Sequence, residues 1–381
     1  MSYYILPKIN NQIVINPSKT SEELCKPYIS HSLLQYITTI KCHINKSILN
    51  SDDLSFNNYI EIIKYINPCE FIFSKIPGSK YSVSKLKPTS NLFYDFLEVC
   101  SILNVFDSYS SSSIHSLHIS NSVSDTIECF EMLRENYADK ILSYNNFNDE
   151  TISEINNFQE KFDFLVFEEE YTTLNNYFTF LAKCMLTILK CQMKNGSCII
   201  KIDNTCYKSV IDIIYFLSSL YDKVYILKPN SSNITTFEKY IVCKNYQCKT
   251  DFCRVNYYTL YTLIKNTNTD NSNNIINSFL DYDTPYYFLS KIDDINVIIG
   301  HQQIESLDLI SNILKNKNKE DRIESFRKTN IIKSIAWCEK YKIPCNKFSE
   351  KVNIFLPLNK ANGESVEHVE DVEDVEIVLE L

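Results

Sequence analysis

The chain has 381 residues, 44% of them hydrophobic, which is enough for the core of one large domain or of two to three smaller ones. Its formal charge of −9 is concentrated at one end: the eighteen residues from Glu364 to Leu381 hold eight acids and no Lys or Arg, and the rest balances 38 basic against 39 acidic residues. That balance excludes a strongly basic nucleic-acid-coating domain, so any RNA contact must come from a local patch.

Asn, Ile, Lys, Tyr and Ser are abundant while Ala, Gly and Arg are scarce, a bias typical of A/T-rich codons. Surface runs of Lys and Asn therefore say little about function. With no signal peptide and no apolar run of transmembrane length, the expectation is a soluble, intracellular, cytoplasmic protein. The fourteen cysteines fall largely in apolar periodic segments, where a thiol acts as a small hydrophobe. The cluster Cys243, Cys248 and Cys253 lacks metal-ligand spacing and a nearby His, so reduced thiols and no metal site are expected.

Residues 1–89 read as a helical N-terminal region, with "SLLQYITTIKCHI" and "FNNYIEIIKYI" at helical spacing and a basic connector from Pro77 to Pro88. A different rhythm occupies 90–246. "NLFYDFLEVCSILNVF" is an amphipathic helix and "SIHSLHIS" a buried strand. "VSDTIECFEMLRENY" is a helix, with Ser122 and Asp125 as a capping box. "KILSY" and "FDFLVFEEE" are strands. "NNYFTFLAKCMLTILKCQMKNG" predicts a long helix stopped by Asn195-Gly196. "SCIIKI", a helix, "KVYILKP" and "EKYIVCKN" follow. Strand–helix alternation predicts an α/β fold with a mostly parallel sheet, and the last two strands, lacking a helix between them, predict an antiparallel edge hairpin. Residues 247–357 read as a helical C-terminal region and 358–381 as a disordered acidic tail suited to docking protein partners.

The run from Asn195 to Asn245 resembles the FtsJ-like RNA 2′-O-methyltransferases, and most of all their mRNA-cap branch, carried by eukaryotes and large cytoplasmic DNA viruses. The matching residues are Gly196, Lys201, Lys228-Pro229, Ser231-Ser232 and Glu238-Lys239-Tyr240-Ile241-Val242. Upstream, "NPCEFI" (Asn67 to Ile72) is similar to an element that precedes the catalytic domain in cap methyltransferases. The resemblance implies a Rossmann-like methyltransferase fold, S-adenosylmethionine as cofactor, capped mRNA as partner and a viral, cytoplasmic setting.

The resemblance also implies a Lys–Asp–Lys–Glu tetrad that turns a ribose 2′-hydroxyl toward the methyl donor. Lys201 and Glu238 match its third and fourth members, and partial burial is expected to lower the Lys201 pKa. Glu169 is the nearest match to the tetrad Asp, with Glu168 possible. Asn121 and Ser122, where the family has glycines, and Glu168 are assigned to the cofactor. Lys228, Ser231 and Ser232 are assigned to RNA phosphates. The first tetrad Lys has no counterpart on the helix "LFYDFLEVC", where Asp95 stands near its position with the opposite charge. Two functions follow: a methyltransferase with a remodelled cofactor turn, or a catalytically inactive relative that binds RNA or scaffolds an mRNA-processing complex.

Overall fold

The computed structural model describes residues 3–21, 25–49, 56–247, 250–269, 274–315 and 320–346. The acidic tail, 358–381, lies outside the described residues. Seven strands form the main sheet: β1 (Tyr3–Ile5), β3 (His115–Ser120), β4 (Lys140–Tyr144), β5 (Phe162–Glu168), β6 (Gln192–Ile202), β7 (Tyr221–Leu227) and β8 (Lys239–Tyr246). Their order is β1-β7-β8-β6-β5-β3-β4. Strands β4, β3, β5 and β6 run parallel, whereas β8 is antiparallel to both β6 and β7. The sequence-predicted hairpin is present, but β8 lies inside the sheet and β7 is covered in turn by the antiparallel β1. Strand β1 and a two-stranded sheet of β2 (Ser18–Ser21) and β9 (Asn274–Ser278) are too short to show a period, and periodicity did not reveal them.

The central strands are apolar on both sides because helices cover both faces. Leu117, Ile119, Leu165, Phe167, Cys198 and Ile200 pack into one cluster with α6 (Leu174–Cys191) and α7 (Lys208–Leu220). On the opposite face, His118 and Phe164 meet Phe96 of α3 (Leu92–Ile102) and Phe130 of α4 (Val123–Leu133) edge-on, tilted or stacked. Burial drives the pKa of His118 down to about 3, so it is a neutral member of this aromatic core. Further helices surround the sheet: α1 (His31–Leu49), α2 (Phe56–Ile66), α5 (Asp149–Asn157), α8 (Thr250–Thr269), α9 (Tyr286–Lys315) and α10 (Glu320–Lys340). Most of the cysteines are free thiols buried in these layers; Cys253 on α8 is disulfide-bonded, against the expectation of reduced thiols throughout.

Two local expectations are corrected. Helix α6 stops at Cys191 and β6 begins at once, so Asn195-Gly196 is no helix cap. Asn195 instead takes a φ of 63° at an irregularity where the β5–β6 register shifts between Phe162 and Phe164. An Asn adopts this left-handed conformation more readily than most residues, and the Asn195 Oδ1 accepts a long-range bond from Gln247 Nε2 at 2.9 Å. The capping box is also absent. Ser122 makes no side-chain cap bond, and the buried Asp125 carboxylate accepts from Thr89 N–H (2.8 Å), Ser90 N–H (3.1 Å) and Ser90 Oγ (2.6 Å). It ties the connector to the start of α3 rather than capping α4.

Gly196 is required by close approach. A Cβ there would stand 2.7 Å from the Asp163 carbonyl oxygen and 2.9 Å from that of Met193, both backbone atoms. Gly196→Ala is therefore expected to destabilise the protein by about 1–3 kcal/mol, the usual cost of overpacking. Urea unfolding measures it, and an unchanged midpoint would refute the close packing at this irregularity.

Candidate active site

The chain leaves β3 through α4 to β4 on one side, then returns to β5 on the other, so the sheet reverses its strand order between β3 and β5. In open α/β sheets ligands bind outside the carboxyl ends of the strands at such a point. Three predicted residues converge here. Lys201 Nζ lies 3.2 Å from Glu238 Oε1 and 3.6 Å from Glu168 Oε1. Lys201 is the penultimate residue of β6, Glu168 ends β5 and Glu238 immediately precedes β8, whose register pairs Lys201 with Tyr240. A lysine and a glutamate thirty-seven positions apart are thus brought together by one antiparallel pairing.

Of the two acids considered for the tetrad Asp, Glu168 faces Lys201 and Glu169 does not. Successive strand side chains point to opposite faces, and Glu169 interacts instead with Lys183 and the Phe147 backbone N–H. Burial raises its pKa despite both. Glu168, assigned at the sequence level to the cofactor, has a double task. Its Oε2 accepts from Ser120 Oγ at 2.6 Å and from Asn121 N–H at 3.2 Å, while Ser122 N–H donates to Ser120 Oγ at 3.1 Å. The turn therefore needs no glycine: neither Asn121 nor Ser122 takes a positive φ, and its backbone donors are occupied by the chain's own side chains. The turn and Glu168 thus fit a bound cofactor only in part. Asn121 is exposed and Ser122 half-buried, but the N–H groups that would greet an incoming carboxylate are already satisfied.

The electrostatics reverse one expectation. Burial by itself lowers the Lys201 pKa, yet Glu238, Glu168 and Asp95 outweigh it and hold the ammonium above the ordinary lysine value. Glu238 is correspondingly held below the ordinary carboxylate value, because Lys201 outweighs its own desolvation. Lys201 is therefore a fixed cation at neutral pH rather than a free base. Asp95 takes part in the same field from α3, and desolvation pushes its carboxyl up to about 7. The sequence flagged Asp95 only for its charge.

The three residues assigned to RNA phosphates turn inward. Ser231 and Ser232 are buried; Ser231 Oγ contacts Asp95 and Glu98, and Ser232 Oγ donates to Pro229 O at 2.8 Å. Lys228 donates to the carbonyls of Thr236 and Glu238, each at 2.9 Å. These bonds close the loop that delivers Glu238, so their polar atoms shape the hairpin. Asn67 of the "NPCEFI" element accepts from Ile234 N–H at 3.1 Å, and Gln303 of α9 donates to Thr235 O at 2.6 Å. The upstream motif therefore braces the same loop.

Two residues at this rim were given no role by the sequence. Tyr171, three positions beyond Glu168, stacks on Tyr177 with ring centroids 4.4 Å apart, and Asp203, Glu238 and Glu168 all act on its phenol. Lys239 is fully buried, donates to Thr205 Oγ1 at 3.2 Å and faces Asp203; desolvation drives it down to about 8.

The strand order, with an antiparallel strand placed next to the last parallel one and charged side chains gathered at the switch point, defines a Rossmann-like methyltransferase-type α/β protein. Residues 126–246 match the FtsJ-like methyltransferase family. The match starts after the Asn121-Ser122 turn, the part of the sheet that departs from the family's glycines. The cap-specific mRNA (nucleoside-2′-O-)-methyltransferase 1 of Drosophila melanogaster is 27% identical over 146 residues, 37% of this chain and 18% of that protein. The matched part is thus under a fifth of the relative's length. Human methyltransferase-like protein 13, solved with SAH, shares 8% identity at a TM-score of 0.30, over 45% of this chain and 93% of its own. A probable spermidine synthase from Corynebacterium glutamicum shares 9% at 0.27, over 52% and 81%. Superpositions this loose carry no argument, and the fold rests on strand order and register.

Lys239 supplies a test of the rim's electrostatics. Its folded pKa lies below that of an unfolded lysine, so between about pH 8 and about pH 10.4 the unfolded chain binds the extra proton and stability rises with pH. Lys239→Met is expected to remove this rise in urea unfolding titrations. A wild-type curve that runs parallel to the variant's would contradict a desolvated Lys239.

Proposed function

We propose that this protein is an S-adenosylmethionine-dependent RNA 2′-O-methyltransferase of the mRNA-cap type. The observation that carries the reading is the Lys201 ammonium clamped between Glu238 and Glu168 at the switch point, in a region that matches the family model. S-adenosylmethionine would supply an electrophilic methyl group, held by Asn121, Ser122 and the β5 end. The chain's own residues position the acceptor. Lys201, already protonated, donates a hydrogen bond to the ribose 2′-oxygen and stabilises the negative charge that develops as the oxygen attacks. Glu238 and Glu168 fix its rotamer and protonation state. The hydroxyl proton departs toward solvent past Glu238, the more exposed of the two carboxylates.

A second reading has its own support. Asp95 stands where the resemblance calls for a lysine, and Glu168 occupies the Ser120 hydroxyl and the Asn121 N–H of the turn. On that reading the fold serves as an RNA-binding or scaffolding subunit of an mRNA-processing complex, and the lysine–carboxylate cluster is structural.

Isothermal titration with S-adenosylhomocysteine and transfer of labelled methyl to capped RNA separate the two. The enzyme reading predicts saturable binding and transfer, with Lys201→Ala reducing transfer at least 100-fold, roughly the lower end of what positioned catalytic groups contribute, while the fold persists. No binding at millimolar ligand and no transfer would leave the non-catalytic subunit.

A further inference from the structure

Beside Lys201 lies a hydroxyl with more acceptors than protons. Ser231 Oγ is 2.6 Å from Asp95 Oδ1 and 3.1 Å from Glu98 Oε2, and all three residues are buried. A serine hydroxyl has a single hydrogen to give. With both carboxyls ionised, one contact would set an oxygen lone pair against a carboxylate away from water, an unmade hydrogen bond at a costly place. With one carboxyl protonated the chain closes: the acid donates to Ser231 Oγ, and Ser231 donates to the other carboxylate.

The surroundings decide which carboxyl holds the proton. Glu98 Oε2 also accepts from Ser231 N–H at 3.1 Å and from Trp337 Nε1–H of α10 at 2.8 Å, donors that favour an ionised group. Its Oε1 makes no hydrogen bond, so a proton there would have no acceptor. Asp95 receives only long contacts besides Ser231, from Tyr240 OH at 3.5 Å and Asn91 Nδ2 at 3.4 Å.

We propose that Asp95 is a neutral acid in the folded protein, donating through Ser231 to an ionised Glu98, and that this relay makes Asp95 a proton-switched positioning residue for Lys201. The charged and titratable groups facing Asp95 are Lys201 from β6, Glu238 and Lys228 from the hairpin loop, Glu98 from its own helix, Tyr240 from β8 and Cys69 from the "NPCEFI" element. While Asp95 is neutral, Lys201 answers to two carboxylates. Loss of the proton adds a third and draws the Ser231 hydrogen away from Glu98, so the loop delivering Glu238 and the α10 contact at Trp337 respond to the same event. The pKa of about 7 places that event near neutrality. The device does not depend on methyl transfer taking place.

Difference infrared spectroscopy of the full chain at neutral pH, wild type minus Asp95→Asn, tests this directly. A protonated-carboxyl C=O band in the difference is expected; its absence would overturn the proposal. Urea unfolding adds a second readout. The folded state keeps a proton that the unfolded chain releases above about pH 4, so this share of wild-type stability is lost as pH rises through about 7, and Asp95→Asn lacks that loss. Parallel curves would also overturn it. Should Asp95→Asn not fold, Glu98→Gln removes the second carboxylate and is expected to move the step to lower pH; an unmoved step counts against the relay.

Discussion

An ammonium held at the reversal point of the sheet is the interaction on which the site depends. Lys201 is largely withdrawn from water, and desolvation alone works against its charge. Glu238 and Glu168, reaching it from the strands on either side of β6, reverse the sign of that effect. A buried ion pair of this kind is weak evidence of stability, since an apolar replacement of both partners is often tolerated, whereas removing one partner leaves an uncompensated charge. Its presence argues for a task at the position. Everything nearby serves its geometry: the β6–β8 register brings Glu238 in, Lys228 closes the loop, and Asn67 and Gln303 brace that loop from outside the sheet.

The turn after β3 is a different solution to a family problem. Glycines usually keep such a turn clear for a bound group. Here Ser120 and the Asn121 N–H are tied to Glu168, one methylene longer than an aspartate, and that carboxylate bridges two strand ends across the crevice. The same side chain thus orders the turn and anchors the lysine, so the state of the crevice beside the turn and the state of the Lys201 ammonium are linked by one carboxylate. This is where an active enzyme and a retired one would differ.

Much of the sheet was legible in the sequence because its strands are apolar runs bounded by turn signals, and because helices of good period separate them. β4 and β5 fall where "KILSY" and "FDFLVFEEE" placed them. The short strands β1 and β2 were not legible, since three or four residues carry no period and their pairing is settled by partners over two hundred positions away. Asn195-Gly196 misled because the same dipeptide suits a helix end and a strand irregularity, and only the close backbone of Asp163 distinguishes them. At the site, Lys201 and Glu238 could be read from their motif. The choice between Glu168 and Glu169 could not, because strand pleating decides it and a run of three acids hides the phase. The inward turn of Ser231 and Ser232 was hidden for another reason: a serine pair suggests an exposed loop until Asp95 and Glu98 are seen to claim Ser231, and the Pro229 carbonyl Ser232.

The protonation state of Lys201 is the most direct measure of this account. Nitrogen-detected magnetic resonance of labelled lysine side chains, with Lys201→Met to assign the signal, follows it through pH. The account predicts an ammonium that persists beyond about pH 10.4, where an ordinary lysine is half titrated. A Lys201 that loses its proton near neutrality would contradict the clamp and with it the reading of the site.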